Sequence, residues 1–82
     1  MKTDFNFYLA AIRNDSENIF DYVQHLENGG TWELKHRADK YMATLDDHFR
    51  NEHRFVVIVT KTEVTAGDTY DPDNMEICFH LL

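Results

Sequence analysis

Five consecutive apolar residues, Phe55-Val56-Val57-Ile58-Val59, form an unbroken hydrophobic run, and no run in the chain is longer than six. A membrane span needs about 18 such residues, so the sequence predicts no membrane segment. The residues from Phe55 to Val64 are rich in β-branched side chains, which predicts a strand. Met75 to Leu82 alternates Met75, Ile77, Phe79 and Leu81 against Glu76, Cys78, His80 and Leu82, which predicts another. Residues 65–74 between them are dominated by turn formers, among them Gly67, Pro72 and Asn74. The pattern is a β-hairpin with a long acidic loop. A lone hairpin is marginal in water, so it must pack on helices and gains from a third strand.

Size tightens this requirement. A single domain of 82 residues buries only about 60% of the surface its unfolded chain exposes. The one cysteine, Cys78, cannot make an internal disulfide, so nearly every large apolar residue is needed for the core. The lone thiol and the lack of a leader-like apolar stretch near Met1 predict a reducing, cytoplasmic setting.

Two helices are expected before the hairpin. From Thr31 to about Asn51, Leu34, Ala38, Tyr41, Leu45 and Phe49 recur at helical spacing, with Thr31 as N-cap. From Ser16 to Asn28, Ile19, Phe20, Val23 and Leu26 form a stripe; Ser16 serves as the start signal and Asn28-Gly29 as the stop. The short glycine turn between them predicts an antiparallel helical hairpin. At the N-terminus Phe5, Phe7 and Leu9 alternate as a strand, while Phe5, Tyr8, Leu9 and Ile12 also fit a helix face. The need for a third strand favours the first reading. The expected fold is α+β: a helical hairpin on a small antiparallel sheet, β-α-α-β-β, with α-α-α-β-β as the rival.

The inventory of reactive groups is thin. Ser16 is the only serine and Cys78 the only thiol. Cys78 and His80 share a strand face and could react or bind metal if exposed, but a lone strand cysteine reads as a small buried hydrophobe. His48, Glu52 and His53 at the end of the long helix are the densest set of metal-ligand types. They lack the spacing of a His-Glu-x-x-His motif and would need His80 or Cys78 from elsewhere, so a solvated helix end is the simpler reading. Asp68, Asp71, Asp73, Asn74 and Glu76 miss the register of a calcium loop, because the twelfth position from Asp71 is Leu82. Asp46 and Asp47 are adjacent and diverge, and three scattered glycines build no phosphate loop. No enzyme, metal or cofactor is expected.

Charge carries the remaining information. The formal net charge is −7. Residues 1–30 hold five acids against two bases, residues 31–54 five against five, and residues 55–82 five against one. The excess is therefore −3, 0 and −4 along the chain. Binding to phosphates needs the opposite sign, which disfavours direct nucleic-acid binding. An acidic field instead speeds encounter with basic proteins. The expected function is a non-enzymatic protein-binding module that antagonises a basic, nucleic-acid-binding partner such as a nuclease, by placing carboxylates like phosphates. Anti-restriction proteins, immunity proteins and antitoxins share this size and charge. The expected contact residues are Asp15, Glu17 and Asp21 from the first helix, and Asp68, Tyr70, Asp71 and Asp73 from the loop. Two alternatives remain open: a homodimeric subunit joined through an edge strand, Phe55–Val64 or Met75–Leu82, and a metal-binding protein using His48, Glu52 and His53.

Overall fold

A computed structural model describes residues 5–15 and 18–81. The elements are β1 (Asn6–Arg13), β2 (Phe20–Leu26), α1 (Thr31–Met42), α2 (Asp47–Glu52), β3 (His53–Thr60) and β4 (Met75–Leu81). The four strands form one sheet in the order β2-β1-β3-β4, antiparallel throughout. The α+β class stands, and the N-terminal segment is a strand. The element order is β-β-α-α-β-β, so both expected orders are corrected.

The main correction is residues 16–28, expected as a helix. Residues 16 and 17 lie outside the described residues, and Phe20–Leu26 is a strand. The reason lies in β1. Leu9, Ala10 and Ala11 are fully buried, so each backbone amide and carbonyl needs a partner on both sides. β3 supplies one side and β2 the other. The helical stripe in the sequence has a local cause as well. The register of β2 against β1 shifts between Ala11 and Ile12, leaving Asp21 opposite no residue. This bulge lets Phe20 face one side of the sheet while Tyr22 faces the other, which hides the period of two.

The expected helix from Thr31 to Asn51 is two helices. α1 starts one residue earlier than predicted at its cap: Gly30, not Thr31, is the N-cap, and its amide donates to Glu33 Oε1 at 2.8 Å. It ends where Thr44 Oγ1 donates to Tyr41 O at 2.7 Å and the Thr44 and Leu45 amides fold back on Tyr41 and Met42. Asp46 then caps α2 by accepting from the Phe49 amide at 2.8 Å. Thr and Asp side chains that bond the backbone compete with helical hydrogen bonds, and here they interrupt the helix. The expected helical hairpin of residues 16–28 and 31–51 is therefore corrected: its first arm is mostly strand, and its second is two consecutive helices that each pack on the sheet.

The sheet is covered on both faces. Leu34, Ala38 and Met42 of α1 pack on Leu9, Ala11, Leu26, Phe55, Val57 and Leu81. On the opposite face Tyr8, Ala10, Ile12, Phe20, Val56 and Ile58 are covered by the 61–74 connection, through Val64 and Tyr70. Val64 is thus buried in a loop rather than ending β3, which stops at Thr60. β3 is interior, so of the two strands considered for edge pairing only β4 lies at an edge. Among the described residues no helix is long and apolar enough to cross a membrane.

Gly67 sits at the tip of this covering loop with φ of 101° and nothing within 4 Å of where a Cβ would stand. Gly67→Ala is therefore expected to destabilise through the backbone alone, by about 1–3 kcal/mol. A lowered urea midpoint with an unchanged slope checks this; an unchanged midpoint would mean that the loop relaxes freely.

Candidate interaction surface

The acidic loop is a built structure. The Phe20 amide donates to Asp68 O, the Gly67 amide to Phe20 O and the Tyr70 amide to Asn18 O, each at 2.8 Å. Ile19 and Thr69 form an isolated antiparallel bridge in the same place. The loop therefore runs beside the start of β2. The two acidic stretches of the sequence meet along one backbone seam.

Within the loop the expected contact residues hold its turns. Asp68 Oδ2 accepts from the Thr65 amide at 2.9 Å and from Thr65 Oγ1 at 3.4 Å. Asp71 accepts from the Asp73 amide through Oδ1 at 3.0 Å and from Asn74 Nδ2 through Oδ2 at 2.7 Å. Both carboxylates do the backbone-bonding work that makes Asp common in turns. Asp68 and Asp73 are exposed and Asp71 is half-buried. Tyr70, expected as an exposed anchor, is instead half-buried against the sheet, its hydroxyl donating to Met75 O at 3.4 Å. On the other side of the seam, Asp15 is exposed in the β1–β2 turn, and Glu17 lies outside the described residues.

Asp21 stands apart from the others. It was expected on an exposed helix face; the bulge in β2 instead turns its carboxylate into the sheet's helix-covered side. His53 Nε2 meets Asp21 Oδ2 at 2.8 Å, and Arg13 donates to the same oxygen through Nε at 3.0 Å. His53 Nδ1 is 2.7 Å from Phe49 O, and the two rings stack at 4.0 Å. The His53 side chain is 3% exposed and that of Asp21 25%. The hydrogen bond from His53 is the largest cause holding the Asp21 carboxyl below its usual 3.8; burial works against it and the Arg13 charge adds to it. This Arg13–Asp21–His53 cluster joins β1, β2 and β3, and no local signal shows it: Asp21 and His53 are 32 residues apart.

The geometry also decides what His53 can do. One ring nitrogen faces a carboxylate and the other a backbone carbonyl, so neither is left to take a proton from a third group or to bind a metal. His53 is therefore separated from His48 and Glu52, which contact each other at 3.5 Å on the exposed side of α2. Among the described residues no three His, Cys, Asp or Glu side chains converge as a metal site would require. Cys78, expected buried, is exposed on β4, where a register shift between Val57 and Ile58 leaves it opposite no residue. Partial burial of the thiol, with Glu76 nearby, raises its pKa, the reverse of an activated nucleophile.

Compared with protein-family models, curated proteins and solved structures, the chain matches none.

Proposed function

We propose that this chain is a non-enzymatic, acidic interaction domain that occupies a basic surface of a protein partner, as an inhibitor or antagonist would. The partner class is a nuclease or other nucleic-acid-binding protein, whose phosphate-binding side chains would meet carboxylates. One observation supports the reading above the rest: the backbone seam between residues 18–20 and 67–70, which joins the −4 segment of the chain to the −3 segment. A loop already ordered by its own hydrogen bonds loses little conformational entropy on binding. Asp68 and Asp73 are exposed on that loop and Asp71 is partly so, while Asp15 is exposed in the turn between β1 and β2. Opposed charge would then set the encounter rate and the choice of partner.

The test is affinity capture, with mass-spectrometric identification, by the native chain and by Asp15→Asn/Asp68→Asn/Asp73→Asn. Asn retains a side-chain oxygen at Asp68 for the Thr65 amide, so the fold is expected to survive. Basic proteins should be captured by the native chain and released by added salt, and the variant should lose them. Capture that is indifferent to salt and to the three substitutions would sink the proposal.

A further inference from the structure

A sheet of four strands has two edges, here β4 and β2. The β2 edge is treated differently along its length. Near Phe20 the 67–70 segment runs alongside it and takes up the Phe20 amide and carbonyl. From Tyr22 to Leu26 the strand pairs with β1 on one side and has no described strand on the other. An edge of this kind is a template for another strand.

Helix α1 stands beside this open stretch, and the groove between them has a volume of about 810 Å³. That lies within the range of about 300–1,000 Å³ usual for ligand sites. β2 contributes Gln24, His25 and Leu26, and α1 contributes Arg37, Lys40 and Tyr41. Leu26 is buried and Tyr41 is partly exposed, giving apolar surface between polar walls. The Gln24 side-chain amide reaches His25 O at 3.4 Å, a weak bond that an incoming backbone N–H would replace with a better one.

The charge here is opposite to that of the molecule. Arg37 Nη1 donates to Glu27 O at 3.2 Å and to Asn28 O at 3.4 Å, which fixes the guanidinium at the groove. Lys40 is exposed and has no ion-pair partner among the described residues, while Arg37 has none within 4 Å but shares the neighbourhood of Gly29 with the Glu33 carboxylate. Glu27 is the one carboxylate among the lining residues, so the wall keeps a positive excess in a chain of net charge −7. Lys40 is the cation at this point that is free to meet an acidic occupant.

We propose that the groove between β2 and α1 docks an extended acidic peptide, which adds to β2 as a fifth strand while its carboxylates meet Lys40. The backbone hydrogen bonds give affinity without regard to sequence, and Lys40 selects the charge. The site does not overlap the acidic seam and rests on none of its residues.

The probe is a fluorescein-labelled octapeptide of alternating Glu and Val, with a Lys–Val octapeptide as control. Anisotropy should show saturable binding, tighter for Glu–Val by about tenfold, and Lys40→Glu should weaken it by about fivefold. Amide shifts should fall on Gln24–Glu27 and along Arg37–Thr44. Lys40 is exposed, so an unchanged melting temperature for Lys40→Glu would separate lost binding from lost folding. Equal binding of both peptides, no saturation, or shifts confined to β4 would overturn the proposal. Concentration-dependent shifts at Gln24–Glu27 without peptide would overturn it too, by identifying a second copy of the chain as the occupant.

Discussion

Replacing Phe20 by alanine is expected to be among the most damaging single changes in this protein, costing about 3–5 kcal/mol. Phe20 is fully buried and lies on the sheet face that carries no helix. There it packs with Ile12, Val56 and Ile58 under Val64 and Tyr70 of the covering loop. Its own amide and carbonyl hold that loop in place. A domain of this size has a total stability of about 4–12 kcal/mol at the usual values per residue, so the loss approaches the whole at the lower end. The cavity would open beneath a loop rather than beneath a helix, and the loop's anchorage should loosen with it. Urea unfolding followed by circular dichroism measures the cost, and amide exchange at Gly67 and Tyr70 measures the loosening. A cost below about 1 kcal/mol would show that the loop collapses into the space and that this face is not a true core.

Removing the Asp21 carboxylate is the second large effect, and it carries a pH signature. Asp21→Ala leaves the nearly buried His53 Nε2 and the Arg13 guanidinium without their shared acceptor. A hydrogen bond to a charged group contributes about 1.5–3 kcal/mol, which sets the expected cost near neutral pH. The native carboxyl titrates below its usual 3.8, so the unfolded chain binds a proton first as pH falls. The stabilisation is therefore complete above that value and is lost as pH drops through the lower native one. The gap between native protein and variant should narrow as pH falls below 3.8. Urea titrations at a series of pH values provide the comparison. An equal gap at every pH would mean that the variant suffers from lost packing alone. Asp21→Asn separates the parts further, since it keeps an oxygen for His53 but removes the charge facing Arg13.

Both effects arise at a feature that no local pattern shows. Ile19, Phe20, Val23 and Leu26 are spaced as a helix would space them, and the helix is the natural local reading. The bulge at Asp21 breaks the alternation that would otherwise mark a strand. The deciding demand comes from β1, whose buried backbone needs pairing along both edges. The break in the long helix has a milder cause: Thr44 and Asp46 are visible in the sequence, but the apolar spacing continues across them through Leu45 and Phe49. Both of those side chains still pack on the helix-side core, so the face was read correctly although the helix is interrupted.

The expected contact residues divide in the same way. Asp68, Asp71 and Asp73 belong to a turn-forming loop, as composition alone indicated, and the turns are made by the carboxylates of Asp68 and Asp71, Asp73 contributing its backbone amide. Tyr70 is an aromatic in a polar segment and could as well be an anchor or a lid. Only the open face of the sheet beneath it made it a lid. His53 was legible as a possible ligand by its neighbours in sequence, and the neighbours that matter, Asp21 and Arg13, come from two other strands.

The sequence by itself determined the α+β class, the C-terminal hairpin, the helical character of residues 31–42, and the division of charge into −3, 0 and −4. Each of these rests on short-range spacing or on simple counting. The tertiary structure alone decided that residues 20–26 are a strand, that the acidic loop lies on the sheet rather than in solvent, and that Asp21 is tied to His53. Those outcomes depend on backbone partners and apolar surface contributed by residues far apart in the chain. A hydrogen-bonding requirement created by β1 or an uncovered face created by β3 leaves no mark on the segments that satisfy it.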